Sequence, residues 1–218
     1  MLPPARLNAN IPATWSIFAA LALLGVLGRI FQPQWNVTPI AAVTLFAAAL
    51  FAQRWMAVLL PCVILAVSNL FLADYSSRVE MLAVYVCFVA PAFWGTWLIT
   101  GSNTSKNANL GAGHGIKFTA SIILASVASS TLFYVVTNFA VWLIRRGNAY
   151  EDSLAGLLEC YAAAVPFYRW MLQGDLLYCG LVFGSAAVLQ RVGKWQHAAS
   201  NSPRSTERHY CPVVAQKK

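Results

Sequence analysis

The stretch FTASIILASVASSTLFYVVTNFAVWLI, residues 118–144, contains no charged side chain. A helical crossing of a bilayer core takes roughly 20 apolar residues, so this run alone is long enough for one. Outward from it, comparable uncharged runs cover residues 7–28, 30–53, 55–73 and 81–105. A further stretch, Val165–Leu189, is interrupted only by Arg169 and Asp175. A soluble domain of this length could not bury so many such runs. The pattern predicts an all-α, polytopic membrane protein of six transmembrane helices, with spans at Trp15–Ile30, Thr38–Phe51, Trp55–Ala73, Met81–Thr100, Phe118–Ile144 and from Val165. Just before the last span, Leu154–Ala164 has Leu154, Leu157, Leu158 and Tyr161 on one side and Glu159 near the other. It is too short to cross and Pro166 follows, so it reads as an amphipathic, re-entrant or interfacial lid.

Charged residues make up only 10% of the chain, against about a quarter in soluble domains. Residues 1–190 therefore read as one transmembrane domain. Residues 191–218 read as a basic tail, rich in Pro, Ser and Arg and expected to be disordered. The net charge of +8 does not point to nucleic acid, because much of it lies in that tail (Arg191, Lys194, Arg204, Arg208, Lys217, Lys218). Such a tail suits an anionic lipid surface, and no nucleic-acid motif accompanies it. The five cysteines show no CxxC spacing, so neither a disulfide framework nor a metal site is expected. The first apolar run lacks a basic leader beyond Arg6 and a clear small-x-small cleavage site, and reads as a retained helix.

Six crossings put both termini on one side, with Arg6, Arg54, Lys106, Lys117 and the tail cations. The other side holds Arg29, Arg78, Arg145, Arg146 and Arg169. The bias is modest and favours cytoplasmic termini in a multi-pass membrane protein. Asp74, Glu80, Glu151, Asp152, Glu159 and Asp175 all map to the non-cytoplasmic side. The result resembles a cup that opens outward.

Catalytic signatures are missing. The histidines lie in a loop (His114) and in the tail (His197, His209), and no GxSxG, HExxH, Walker or GxGxxG motif is present. An enzyme is not expected, nor a cofactor. The glycine-rich Gly111–Gly115 reads as a flexible loop.

The polar exceptions are more informative. Arg29 ends the first span and is free either to snorkel to headgroups or to face a pocket. Asn36 and Thr38 stand at the entrance of the second span, where Thr38 before Pro39 has the pattern of a helix cap. Asp175 lies well inside the last span, and an ionisable group there needs a partner or a wet cavity. Arg169, six residues earlier, is not on the same helical face. Asn138 and Trp142 share a face of the fifth span, where Asn138 serves as interhelical glue or as cavity lining. Tyr150, Tyr161, Phe167, Tyr168 and Trp170 add aromatics near the same surface, where an ordinary aromatic belt is the competing reading.

The ordered set Arg29, Trp35-Asn-Val-Thr-Pro-Ile40, Leu45-Phe-Ala-Ala-Ala, Ser68-Asn-Leu, Val84-Tyr85, Thr137-Asn-Phe-Ala-Val-Trp142, Gly156-Leu-Leu-Glu-Cys-Tyr161, Pro166-Phe and Gly174-Asp-Leu-Leu-Tyr178 resembles an uncharacterised family of bacterial inner-membrane proteins described as transport proteins. That family in turn resembles the substrate-binding S-components of energy-coupling factor (ECF) vitamin transporters. The resemblance spans roughly Gly28–Leu189. It implies a six-helix fold with an outward-opening pocket built by the loops after spans one, three and five and by the outer halves of spans four to six. Two departures stand out. Asn69 occupies a position where that family usually carries an acidic residue. The first span also lacks a clean Ala-x-x-x-Ala stripe for docking on an energising transporter module, and Ala48 and Ala52 form only a weak small-xxx-small pair.

The expected function is substrate binding or transport of a small polar, vitamin-like molecule across the lipid bilayer. Its candidate contacts are Arg29, Asn36, Thr38, Asp74, Tyr85, Asn138, Trp142, Tyr150, Glu159, Tyr161, Arg169, Asp175 and Tyr178. The alternative is a structural or assembly membrane protein with no ligand, in which these groups only staple helices. A common void facing both Asp175 and Arg169 would favour the first.

Overall fold

The computed structural model describes residues 11–34, 36–72, 75–101 and 112–200. Asp74, the loop across 102–111 and the tail from 201 to 218 lie outside the described residues. The remainder is helical: α1 (Ile11–Ile30), α2 (Ile40–Leu50), α3 (Arg54–Ser68), α4 (Arg78–Gly101), α5 (Ala112–Arg145) and α6 (Leu154–Ser200). No β-strand forms among the described residues. Each apolar run found in the sequence corresponds to one helix, and most of these helices extend past the ends of their runs. Four of them, α1, α4, α5 and α6, are long and apolar enough to cross a membrane. Large apolar side chains such as Leu23, Leu82, Phe93, Leu124, Leu177 and Leu181 point outward, as they do where lipid rather than water is the solvent.

The second helix is the hub. It packs against all five others, and every one of its residues is buried. Alanines at 41, 42, 47, 48 and 49 let neighbouring backbones approach, the packing device of membrane helices. Glycines on the surrounding helices complete the fit. A Cβ on Gly95 of α4 would lie 2.8 Å from Leu45 Cδ2, and one on Gly174 of α6 would lie 2.8 Å from Val37 Cγ1. Below α2 the bundle is closed by aromatic contacts. Phe46 meets Phe183 edge-on at 5.2 Å, Phe183 meets Phe118 at 6.2 Å, and Phe18 meets Phe51 at 6.3 Å.

Several expectations need correction. The second helix has 11 residues and the third 15, about 16 and 22 Å at 1.5 Å per residue. Both are shorter than the roughly 30 Å of a bilayer core. Leu154–Ala164 is no separate lid but the start of α6, a single 47-residue helix. Pro166 removes only one backbone donor, a loss that packed membrane helices tolerate. The same helix continues to Ser200, into the segment read as tail. The fifth helix begins at Ala112, so most of the glycine-rich stretch read as loop is helical, in a first turn whose N–H groups lack helical partners anyway. Ala48 is buried within the bundle and presents no docking stripe. Thr38 is not the cap of α2, because the helix starts one residue later, with Pro39 at the cap position and no side-chain cap bond.

Candidate functional site

The segment between α1 and α2 does not cross over the top of the bundle. Val37, Thr38 and Pro39 are already buried, so the chain descends into the interior before α2 begins. The short α2 and α3 leave space at this end, and a cavity of about 510 Å³ fills it. That lies within the roughly 300–1,000 Å³ of ordinary small-molecule sites. Its walls come from the end of α1 (Arg29), the following turn (Gln32, Asn36, Thr38), the segment after α3 (Leu72, Tyr75), the start of α4 (Glu80, Val84, Phe88), the end of α5 (Phe133, Tyr134, Thr137, Asn138, Val141) and α6 (Ala164, Phe167, Tyr168, Met171).

Arg29 is held from one side. Its Nη1 donates to Ser68 Oγ at 2.6 Å and to Asn69 Oδ1 at 2.7 Å, and its Nη2 donates to Tyr75 Oη at 2.8 Å. Each acceptor is positioned in turn. Ser68 Oγ donates its own proton to Ile64 O at 2.6 Å, and so can only accept from the guanidinium. Asn69 Nδ2 donates to Tyr85 Oη at 3.2 Å. All these partners are neutral. Among the described residues the ion pair formed is Arg146–Asp152, at 3.3 Å and exposed.

Three further features shape the cavity. Glu80 sits in the first turn of α4, where its backbone N–H donates to Ser77 Oγ at 3.1 Å. This is half of a capping box, and no return bond from the Glu80 carboxylate forms. Asn36 adopts φ 64°, a left-handed conformation that asparagine tolerates better than most residues. Thr38 is only 6% exposed, lines the cavity and leads into the uncapped start of α2, whose dipole favours negative charge. The α5–α6 wall is fastened by tyrosines: Tyr134 Oη donates to Tyr161 O at 2.7 Å, Tyr161 Oη donates to Val135 O at 2.8 Å, and the Tyr134 and Tyr168 rings lie 4.8 Å apart.

Of the candidate residues, Arg29, Asn36, Thr38 and Asn138 line the cavity. Tyr85 stands behind Arg29, through Asn69. The rest lie elsewhere. Asp175 is 2% exposed and accepts a 2.6 Å bond from Ser130 Oγ on α5, so it fastens two helices. Arg169 is exposed and borders a separate recess of about 150 Å³ with Pro166, Trp170 and Gln173. Asp175 lines neither that recess nor the larger cavity. Trp142 Nε1 donates to Glu151 O at 3.2 Å, and its ring lies 5.7 Å under the Arg146 guanidinium. Tyr150 forms a backbone bridge with Arg146 in the α5–α6 turn. Its phenol is pushed above the ordinary value by burial first, then by Cys160 and Glu159, against the lowering pull of Arg145. Tyr161 locks α6 to α5, Glu159 is exposed, and Tyr178 packs against the core. Asp74 lies outside the described residues.

Sequence reading missed Ser68, Asn69, Tyr75 and Tyr134 as contributors, while Phe167 and Tyr168, named among the aromatics near this surface, do line the cavity. Ser68 and Asn69 carried a usable signal, as adjacent polar residues closing an apolar run. The tyrosines carried none, because a pocket tyrosine and an interfacial one look alike in sequence.

No curated protein and no solved structure matches the chain. One family profile matches residues 9–198. The chain belongs to the DUF6580 family, a family of unknown function.

Proposed function

We propose that this protein is a membrane substrate-binding or transport protein for a small polar molecule, which it takes into the cavity beside Arg29. In this reading all six helices are membrane segments, with α2 and α3 too short to cross the full core alone, the cavity faces outward, and both termini are in the cytoplasm of a bacterial cell. The short α2 is then a half-depth crossing, whose missing length is the pocket. The likeness to ECF S-components belongs to the same proposal, as does a vitamin-like ligand.

The observation that carries the reading is a cationic side chain fixed by three neutral hydrogen bonds on the wall of a cavity of about 510 Å³. Such a charge is costly at membrane depth unless it faces a partner or a wet cavity. Glycine-tight packing around α2 and the Phe46–Phe183 contact on its other half are consistent with a cup whose space lies at the Arg29 end.

The test is thermal stabilisation of the purified, detergent-solubilised chain across a metabolite panel, in wild type and Arg29→Gln. A ligand at 100 times its Kd stabilises by about 2.7 kcal/mol, which a melting curve resolves. A compound that shifts wild type and not the variant supports the reading. No shift from any compound counts against it.

A second reading, a structural protein without a ligand, draws on Asp175. Its buried bond to Ser130 is what a helix staple looks like.

A further inference from the structure

We infer that the ligand is a zwitterion, with its anionic end on Arg29, its cationic end toward Glu80 and an apolar body between them; this rests on the cavity being a binding site. Arg29 and Glu80 line the same cavity, and neither forms an ion pair with the other or with any described residue. They are opposite charges held apart in one enclosure.

The bonds of Arg29 show what its free edge can accept. Ser68, Asn69 and Tyr75 take three of its N–H groups, and a guanidinium has five. Two therefore remain, and a guanidinium with a free edge prefers a planar carboxylate. Because the three acceptors are neutral, the positive charge is left for the guest. Glu80 has the complementary property, since its backbone is tied to Ser77 and its carboxylate is not tied back.

The combination excludes simpler guests. A neutral molecule would leave both charges unmatched. A plain carboxylate would satisfy Arg29 and face the like charge of Glu80, and a plain amine would do the reverse. The rest of the lining mixes apolar and aromatic groups such as Val84, Phe88 and Phe133 with polar ones such as Asn36, Thr38 and Asn138, and the apolar part suits an uncharged body.

The experiment uses matched triads on the full chain in detergent. Each triad is an α-amino acid with a small, aliphatic or aromatic side chain, its deaminated carboxylate and its decarboxylated amine; phenylalanine, 3-phenylpropanoate and 2-phenylethylamine form one. Affinity is read from the dependence of the melting temperature on ligand concentration. In at least one triad the zwitterion binds about 10–100-fold more tightly than either analogue, the loss expected for one charge-assisted hydrogen bond. Glu80→Gln narrows the gap between the zwitterion and its carboxylate analogue. Arg29→Lys, which keeps the charge and loses the planar fork, weakens both of those compounds together. The Glu80→Gln effect is a change in selectivity, and a folding defect does not produce it. A singly charged analogue binding as well as its zwitterion, or a gap unmoved by Glu80→Gln, overturns the inference. So does the absence of binding by every triad when neutral or purely anionic metabolites do bind, an outcome that leaves the cavity reading standing. No binding by any compound removes both.

Discussion

Gly28 offers the sharpest test of how the cavity is built. A Cβ placed there would lie 2.4 Å from Pro39 Cγ and 2.5 Å from Pro39 Cδ. Ordinary carbon contacts lie at about 3.5–4.0 Å, so Gly28→Ala demands a shift of about 1 Å or more. The obstacle is a proline ring, which cannot swing aside as the end of a long side chain can. Overpacking of this kind costs about 1–3 kcal/mol. Helix propensity works the other way, since alanine in a helix is favoured over glycine by about 1 kcal/mol. The net loss is then about 0–2 kcal/mol, and an internal control separates the two effects. Gly180, also helical, has nothing within 4 Å of its would-be Cβ, so Gly180→Ala keeps only the propensity gain. The two variants should differ by about 1–3 kcal/mol, or about 2–12 °C in apparent Tm for a chain of this size.

The same contact bears on the site, because Gly28 precedes Arg29 and Pro39 follows Thr38. Gly28→Ala should therefore blunt ligand-induced stabilisation more than it lowers Tm. Adding Pro39→Ala removes the two close carbons and leaves a Cβ at an ordinary 3.7 Å, which should restore both readouts. A double-mutant cycle in detergent melting curves measures the coupling, expected at about 0.5–3 kcal/mol. If Gly28→Ala and Gly180→Ala melt alike, or if Pro39→Ala rescues nothing, the account of a sterically fixed α1–α2 junction is wrong.

Asp175→Asn keeps an acceptor for Ser130 and should cost less than Asp175→Ala, which should lose on the order of 1–3 kcal/mol; a cycle with Ser130→Ala that shows no coupling would remove the staple. Trp142→Phe gives up the bond to Glu151 and weakens the Arg146 contact, for an expected loss of about 0.5–1.5 kcal/mol in melting experiments. Asp152→Asn breaks an ion pair whose side chains are 45% and 63% exposed, and Tm should stay within the equivalent of about 0.5 kcal/mol. For orientation, an impermeant maleimide should label Asn148→Cys, in the exposed α5–α6 turn, on intact cells, and reach Cys211 only after lysis. The reverse pattern would turn the chain over.

The positions of the helices were legible in the sequence because lipid imposes one coarse requirement, long uncharged runs, and each run corresponds to one helix. Their exact lengths were not. Nothing in Thr38–Phe51 distinguishes a short crossing from an eleven-residue helix approached by a buried non-helical segment, because both are apolar. Pro166 misled for a related reason. It ends helices in water, whereas packing against α5 carries α6 straight through it. At the site, Arg29, Asn36, Thr38 and Asn138 stood out as polar groups in apolar surroundings. Asp175 stood out equally well and lies outside the cavity, because depth along a helix says nothing about the direction a side chain faces. That direction depends on which neighbour holds the partner, here Ser130 at a separation of 45 residues.

Asp175 and Arg29 are two solutions to one problem, and the contrast bears on function. A buried carboxyl bonded to a serine on the adjacent helix is accounted for by helix association alone. Arg29 is not accounted for in that way. Its three neutral acceptors fix its position without cancelling its charge, and a neutral side chain reaching the same groups would join α1 to α3 at lower electrostatic cost. Holding a full charge rigidly beside an open volume makes sense when something enters that volume to meet it. A purely structural reading thus explains the residue at the α5–α6 seam and leaves the one at the end of α1 without a reason. Binding of a charged guest supplies the missing reason, and Glu80 on the same wall limits what kind of guest it is.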